Sequence, residues 1–222
     1  MAAKAAKKTA AKSRAPKAAD SRAADSREEI LAVATEEFAE RGLSGARVDA
    51  IAERTRTSKR MIYYHFSGKE GLYKAVLERV YSEIRTVESQ LDLDALTPVE
   101  AMRRMVELTF DYDENHPNFI RLVAVENINQ GDSLKRLGTV RRRYSHVIEV
   151  LRSILERGQA SGDFRADVTP LDVRLVMGSL CFFRVSNRHT FGALFDCDLS
   201  SPELRNRHRK MFTDAVLRFV KA

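Results

Sequence analysis

The amino-acid sequence predicts an all-α protein of about nine helices. Three observations support this fold class: apolar residues recur at helical spacing along most of the chain, no stretch shows sustained alternation of apolar and polar residues, and five prolines and ten glycines in 222 residues leave room for long helices. A chain of this length buries a substantial core. No apolar run approaches the roughly 18 residues that a membrane span needs, so we expect no membrane partner.

Residues 1–25 differ in composition from the rest of the chain. They hold seven Lys or Arg and two Asp in an Ala-rich segment, a net charge of +5 that leaves +2 of the formal +7 for residues 26–222. A segment with no bulky side chain to bury is predicted to be a disordered basic tail. Two interpretations stay open: an arm that adds phosphate contacts to DNA, or a solvated leader.

Residues 26–81 are predicted to form a small helical domain. A capping box at Ser26 and Glu29 starts its first helix, and Gly42 ends it. A tight turn joins the next two helices, which is the pattern of a helix-turn-helix. The remaining predicted elements are a second helix over 48–55, a third over Lys59–Phe66 with Ser58 as N-cap, and a long fourth helix that the capping box Ser67–Glu70 opens.

Residues 82–222 are predicted to form a second helical domain. The segments TPVE (97–100) and TPLD (169–172) each place Thr at the N-cap, Pro at the first helical position and an acid at the third. Pro117 and Pro202 mark two further helix starts. The expected helices are 98–113, 117–129, 133–160, 170–188 and 202–220.

The third helix combines cationic and aromatic side chains. At 100° per residue, Ile62 and Phe66 lie one turn apart and face the domain core, so the other side chains project outward. Arg or Lys can donate two hydrogen bonds to guanine, and Met and Tyr can touch thymine methyl groups. Tyrosine hydroxyls, His65 and Lys69 can reach phosphates. We expect this helix to bind the major groove of DNA; an ordinary amphipathic helix with a solvated basic edge is the alternative.

Residues 44–77 resemble the DNA-binding motif of the TetR family of transcriptional regulators. The family signature Tyr-x-x-Phe-x-x-Lys-Glu-x-Leu corresponds to Tyr63, Phe66, Lys69, Glu70 and Leu72. The resemblance implies that Ser58 to Met61 and Tyr64 read bases and that Tyr63, His65 and Lys69 hold phosphates. The full set of predicted DNA-binding residues is Arg47, Arg56, Thr57, Ser58, Lys59, Arg60, Met61, Tyr63, Tyr64, His65 and Lys69.

Two of these positions depart from the family pattern. Arg47 stands where the family usually has Thr, which implies an ionic phosphate contact there. Thr55 and Arg56 stand where the turn usually carries Ala-Gly. A non-Gly residue with positive φ costs on the order of 1 kcal/mol, so Arg56 marks either an altered turn or a DNA contact.

The C-terminal half resembles the branch of that family whose C-terminal domain senses a small molecule; the segments concerned are 116–131, 156–165 and 181–195. The resemblance implies an effector of unknown identity and a pocket among helices 98–188. Ordinary core burial is the alternative for its apolar residues, and helix capping for Arg184 to His189. The candidate wall residues are Phe110, Phe119, Leu122, Met177 and Phe182, with Glu126, Asn127, Arg184, Asn187 and His189 as polar candidates.

The family's fold also implies a homodimer, formed through a four-helix bundle of helices 170–188 and 202–220 from each subunit. A two-fold dimer would set its two recognition helices about 34–36 Å apart and match a palindromic operator in double-stranded DNA. The candidate contacts are Leu175, Leu180, Phe183, Phe212, Val216 and Phe219.

Signs of catalysis are missing from the sequence. The five histidines are scattered, Cys181 and Cys197 form no CxxC pattern, and no nucleotide-binding motif is present, so we expect no enzyme, no cofactor and no metal site. Free thiols suit a reducing cytoplasm.

The predicted function is a cytoplasmic, nucleoid-associated and sequence-specific transcriptional regulator. We expect a repressor that a small-molecule effector releases from its operator, although the sequence does not decide between repression and activation. The alternative is a nucleoid-associated protein that coats DNA through its basic tail with little sequence preference.

Overall fold

The computed structural model describes the backbone of residues 15–89 and 92–222 and the side chains of residues 26–84, 92–138 and 146–222. Within these ranges all regular structure is helical, apart from one isolated bridge between Phe164 and Lys221, which confirms the predicted all-α class. The described chain contains eleven helices: α1 Ala15–Gly45, α2 Val48–Arg54, α3 Lys59–Phe66, α4 Lys69–Ser89, α5 Pro98–Asn115, α6 Pro117–Ile128, α7 Asp132–Lys135, α8 Gly138–Ser161, α9 Pro170–Ser186, α10 Arg188–Phe195 and α11 Pro202–Val220.

Helices α1 to α4, from residue 26 onward, form the head of the molecule and share one hydrophobic core. Ile51 of α2, Ile62 of α3 and Leu72 of α4 are fully buried in it. Phe38 of α1 meets Tyr73 of α4 edge to face, with ring centroids 4.9 Å apart. The predicted helix-turn-helix is therefore present, held by the inner faces of four helices.

Helix α6 joins the head to the C-terminal helices. Its residues Phe119, Ile120 and Leu122 belong to the head's core, and α6 packs along α1. The predicted boundary between residues 81 and 82 falls within α4, whose Ile84 still lies in the same core. Helix α6 and the head therefore share one hydrophobic core.

Helices α5, α8, α9 and α11 enclose the core of the C-terminal domain. Met102, Met105, Leu151, Val173 and Val216 are fully buried there. Among the residues that the structure describes, no helix is both long enough and apolar enough to cross a membrane.

The predicted helix starts after Thr97 and Thr169 are confirmed. Each threonine accepts a hydrogen bond from the backbone N–H of the third helical residue, at 3.3 Å, and the Glu100 and Asp172 carboxylates accept from the N-cap N–H in return. Hydrogen bonds from the threonine hydroxyls lower the pKa of both carboxyls. Pro117 and Pro202 also stand at helix starts, as expected.

The first helix begins earlier than predicted. It starts at Ala15 rather than after Ser26, because residues 15–25 include five alanines, the residue with the highest helix propensity, and Ser26 is therefore interior to the helix. Gly42 interrupts the helix as expected, with φ 64° and ψ 177°, a conformation that suits glycine. Residues 1–14 lie outside the described residues, so the disorder expected there stays a prediction.

Three further expectations were wrong in detail. Ser67 is the left-handed C-cap of α3 rather than the N-cap of α4. The single helix expected over 133–160 is divided into α7 and α8, because the chain extends at Leu137 and buries that side chain in the head's core. Helix α10 was missed because it has no buried stripe to produce a periodic pattern.

Shortening Ile62 to alanine should cost about 2–5 kcal/mol of unfolding free energy, since its side chain is fully buried in the head. Met61→Ala is the matched control, because Met61 is the adjacent residue of α3 and is 43% exposed. Urea unfolding of both variants measures the difference. Equal losses would contradict the assignment of Ile62 to the core.

Candidate DNA interface

The start of α3 is fixed by a side-chain cap and a left-handed turn. Ser58 has extended backbone geometry, and its hydroxyl accepts a hydrogen bond from the Met61 N–H at 3.2 Å. Arg56 has φ 50°, so it keeps the left-handed conformation that glycine would adopt there. The Thr55 hydroxyl donates to the Ile51 carbonyl at 2.8 Å and closes the end of α2. The turn is thus retained although its sequence departs from the family pattern.

The outer face of α3 presents the predicted base-reading side chains to solvent. Tyr64 is 79% exposed, and Met61 and Tyr63 are each 43% exposed, whereas Ile62 and Phe66 are buried as expected. Within the described part of the chain, the Arg60 side chain has neither an ion pair nor a hydrogen bond. Of the aromatic rings in this segment, Phe66 is therefore buried and Tyr63 and Tyr64 are exposed. The Arg60 side chain is available to a ligand.

Two of the predicted cations already have partners. The Lys59 ammonium lies 3.1 Å from the Asp49 carboxylate of α2 and 6.0 Å from the centroid of the Tyr63 ring. The Lys69 ammonium donates to the Ser44 carbonyl at 3.0 Å, which ties the start of α4 to the end of α1. An ammonium group has three N–H donors, so each side chain retains donors for a further acceptor.

Acidic residues of α1 brace the helix-turn-helix, and sequence reasoning did not find them. The buried Glu37 carboxylate accepts from the Arg47 backbone N–H at 3.0 Å and pairs with Arg41 at 3.3 Å. Glu36 pairs with Arg54 of α2. The contacts with the Arg47 N–H and with Arg54 join residues ten and eighteen positions apart, separations that no helical periodicity reveals. The side chains of Arg47 and Arg56 are left exposed.

Comparison with known protein families assigns both halves of the chain. Residues 30–76 match the family described as "Bacterial regulatory proteins, tetR family", and residues 98–216 match "Tetracyclin repressor-like, C-terminal domain". The chain belongs to the TetR family. TetR regulators are DNA-binding proteins rather than enzymes; they act as dimers on operator DNA and respond to small molecules. The chain is therefore a transcriptional regulator, and neither its family nor its relatives support a DNA-coating role.

Individual relatives agree with this assignment to the TetR family. Over 195 residues the chain is 35% identical to the HTH-type transcriptional repressor NicS of Pseudomonas putida, and the match covers 88% of this chain and 92% of that protein. The repressor SCO4008 of Streptomyces coelicolor is 31% identical over 135 residues, 60% of this chain and 66% of that protein. The crystal structure of the regulator SCO4942 of Streptomyces coelicolor superposes with a TM-score of 0.67 at 26% identity, covering 88% and 98% of the two chains.

The side chains expected to form an effector pocket are not gathered around one cavity of this TetR protein. Phe119 and Leu122 lie in the head's core, Met177 lies in the C-terminal core, and Phe110 lies in a third cluster with Cys181 and Phe212. Asn127 and His189 are exposed, and Phe182 and Asn187 are half-buried. The pocket therefore stays a prediction.

Two of the polar pocket candidates are buried and already paired. The Arg184 guanidinium pairs with Glu114 of α5 and donates to Nδ1 of His208 at 3.2 Å and to the Leu199 carbonyl. Burial lowers the pKa of His208, and the Arg184 charge adds to that effect. Glu126 accepts from the Tyr73 hydroxyl at 2.8 Å. These two side chains thus serve contacts within the protomer.

The predicted dimer residues divide into exposed and covered sets. Leu175 and Phe183 of α9 are 69% and 52% exposed, whereas Phe212 and Val216 of α11 face the protomer's own interior and are not free for a partner. Leu180 and Phe219 are half-buried. In the described ranges, no group of three or more His, Cys, Asp or Glu side chains could hold a metal ion.

Asp113 of α5 is a buried carboxylate that makes no hydrogen bond to any described residue. Burial raises the pKa of Asp113 to about 7; the Arg174 charge opposes this shift, and the Glu114 charge adds to it. The pKa of the neighbouring Cys181 thiol is also raised, chiefly by burial. A proton is therefore bound at Asp113 in the folded protein over a pH range where the unfolded chain has lost it.

Replacing Asp113 by Asn should flatten part of the pH dependence of stability. Because the folded pKa lies above the unfolded value near 3.8, the stabilisation is complete below that value and is lost as pH rises towards 7, at up to about 1.4 kcal/mol per pH unit. The variant should therefore be the more stable protein at pH 8. Urea unfolding at pH 5, 6.5 and 8 measures this.

Asp111→Asn is the control for that experiment, since Asp111 is an ion-paired carboxylate of the same helix, 3.0 Å from Arg209. It should give no gain in stability at pH 8. Parallel pH curves for the wild type and Asp113→Asn would show that Asp113 titrates normally.

Proposed function

We propose that the protein is a homodimeric repressor that binds a palindromic operator through α3 of each protomer. The observation that carries this proposal is the division of α3: Ile62 and Phe66 anchor it in the head, and Arg60 stands on its open face without a partner in the described chain. Two relatives, NicS and SCO4008, are named repressors, which favours repression over activation. Chromosomal DNA as the target would place the protein at the nucleoid in the cytoplasm.

In this proposal some residues of α3 and its surroundings contact bases, and others contact phosphates. Ser58 to Met61 and Tyr64 contact base edges, because they lie on the exposed side of the helix, and Thr57 lies beside them in the turn. Tyr63, His65 and Lys69 hold phosphates, as do the exposed cations Arg47 and Arg56. Lys59 gives up Asp49 when a phosphate or a base replaces that carboxylate.

A small-molecule effector is proposed to bind the C-terminal domain and to weaken operator binding. The family match over residues 98–216 supports such a domain. The candidates that remain accessible are Asn127, Phe182, Asn187 and His189. The effector must bind one separation of the two heads more tightly than the other, since equal affinity for both shifts no equilibrium.

Exposed stripes on α9 and α11 are proposed to form the dimer interface. Leu171, Leu175, Ser179 and Phe183 follow one another at four-residue spacing on α9 and are all exposed. On α11 the exposed stripe is Arg207, Met211, Ala215 and Arg218. Four helices joined through these faces would reproduce the family's bundle without using Phe212 or Val216.

Arg60→Ala should relax sequence choice at one position of each half-site, by about 1–3 kcal/mol of discrimination, because a guanidinium that contacts a base is lost. The measurement is selection of duplexes from a random pool, followed by titration of each selected operator at physiological salt. Arg103→Ala removes an equal charge from the exposed side of α5 and should leave sequence choice unchanged.

The specificity ratio is the affinity for the selected operator divided by the affinity for random DNA. An unchanged ratio in Arg60→Ala would contradict base reading by that residue. The same titration with a chain lacking residues 1–25 examines the tail-driven alternative. A weaker affinity for every sequence alike and a flatter salt dependence would make the tail an auxiliary arm; loss of all binding would favour DNA coating.

Leu175→Arg should separate the dimer and weaken operator binding by about 100-fold or more, because each head would then bind its half-site alone. Sedimentation velocity gives the oligomeric state. Ile128→Arg is the control for the oligomeric state, since Ile128 is 82% exposed and lines the cleft beside Tyr73 and Lys74 of the head. A dimer that persists in Leu175→Arg would exclude the proposed face.

A further inference from the structure

We propose that Glu126 is a positioning residue for DNA binding: its buried carboxylate connects the C-terminal helices to α4 and so sets the position of the recognition helix α3. This inference rests on the proposed function, because it concerns how two heads are held for one operator. Glu126 lies on α6, remote from the α3 surface, and its effect on DNA is exerted through Tyr73.

The Glu126 carboxylate uses its two oxygen atoms for two different helices. Oε1 accepts a hydrogen bond from the Tyr73 hydroxyl of α4 at 2.8 Å, and Oε2 accepts from the Leu134 N–H of α7 at 3.3 Å. Tyr73 is 1% exposed and Glu126 is 2% exposed, so water does not substitute for either donor. Three helices, α4, α6 and α7, therefore meet at one carboxylate.

Tyr73 is well placed to pass a displacement on to α3. It stands near the start of α4, and only Ser67 and Gly68 separate α4 from the end of α3. Its ring packs against Phe38 in the core that also holds Ile62 and Phe66. The pKa of Tyr73 is raised by burial and by the hydrogen bond to Glu126, which keeps the hydroxyl protonated as the donor. A shift of Glu126 would therefore displace the C-terminal end of the recognition helix α3, which directly precedes α4.

The second donor to Glu126, the Leu134 N–H, belongs to the segment that connects α6 to α8. Leu134 belongs to the four-residue helix α7, and Leu137 follows it immediately before α8. Gln130 and Gly131 have positive φ and turn the chain sharply between α6 and α7. Displacement of α8 thus reaches Glu126 through a short segment of the chain, residues 129–137.

A cleft between the head and α7 leaves space for such a displacement. It has a volume of about 460 Å³ and is lined by Tyr73 and Lys74 on the head side and by Asn129, Asp132 and Arg136 on the other. Since Tyr73, the hydrogen-bond partner of Glu126, lines this cleft, α4 and α7 can change separation without compressing a filled core. Glu126 is the polar connection that holds the separation observed here.

The test uses operator half-site spacing, which a purely structural role would not alter. Full-length wild type first selects an operator from a random duplex pool. Its affinity is then compared with that for operators lengthened or shortened by one base pair between the half-sites. The spacing ratio, the affinity for the selected operator divided by that for the altered ones, reports how firmly the heads are held.

Tyr73→Phe removes only the hydroxyl and should lower the spacing ratio by about tenfold, within the range of typical coupling between sites. Base preference within each half-site should stay unchanged. Glu126→Gln keeps an acceptor for one of the two donors and should lower the ratio by a smaller factor. Thr109→Val is the control: it also loses a buried hydroxyl, which donates to the Met105 carbonyl at 3.0 Å inside α5, and its ratio should equal that of the wild type.

Melting temperatures of all variants separate stability from positioning. If Tyr73→Phe does not fold, Glu126→Gln alone decides, and a wild-type ratio in that variant would overturn the proposal. Uniformly weaker binding at every spacing would likewise show that the contact is only a structural brace. Failure of the wild type to select any palindromic operator would instead refute the proposed function, and this inference with it.

Discussion

The rest of the DNA-binding surface depends on the burial of the inner side of α3. An eight-residue helix is not stable alone in water, because nucleation costs more than so few backbone hydrogen bonds return. Ile62 and Phe66 supply the missing stabilisation by filling the head's core against α1, α2 and α4. Their position also decides which side chains face outward, so the same contact that folds α3 orients Arg60 and Tyr64.

Acidic side chains add ion pairs and hydrogen bonds to the apolar contacts that hold the helix-turn-helix together. Glu36, Glu37 and Asp49 neutralise or cap groups of the helix-turn-helix, and each is tied to a cation or to a backbone N–H. The two exposed pairs, Glu36–Arg54 and Asp49–Lys59, contribute little to stability, about 0–1 kcal/mol each. The cations of these pairs are engaged, and among the described residues Arg60 is left unpaired on the face that we propose binds the operator.

The head and the C-terminal domain are also connected by apolar packing and by a buried polar contact. Apolar residues of α6 enter the head's core, and a buried carboxylate on that helix collects donors from α4 and α7. A buried carboxylate that loses a donor is costly, so the helices it joins tend to move as a unit. In the proposed mechanism, this contact transmits a displacement of the C-terminal helices to the head.

The sequence by itself determined the fold class, the capped helix starts at Thr97 and Thr169, and the inward side of α3, since each follows from residues within one or two helical turns. The family signature added the identity of the recognition helix. Only the tertiary structure decided the rest. The predicted helix over 133–160 is interrupted because the Leu137 side chain is buried in the head's core. Glu126, a pocket candidate, instead accepts a hydrogen bond from Tyr73. Phe212, a candidate dimer contact, is buried in its own protomer. These outcomes depend on contacts between residues far apart in the chain, which local spacing does not encode.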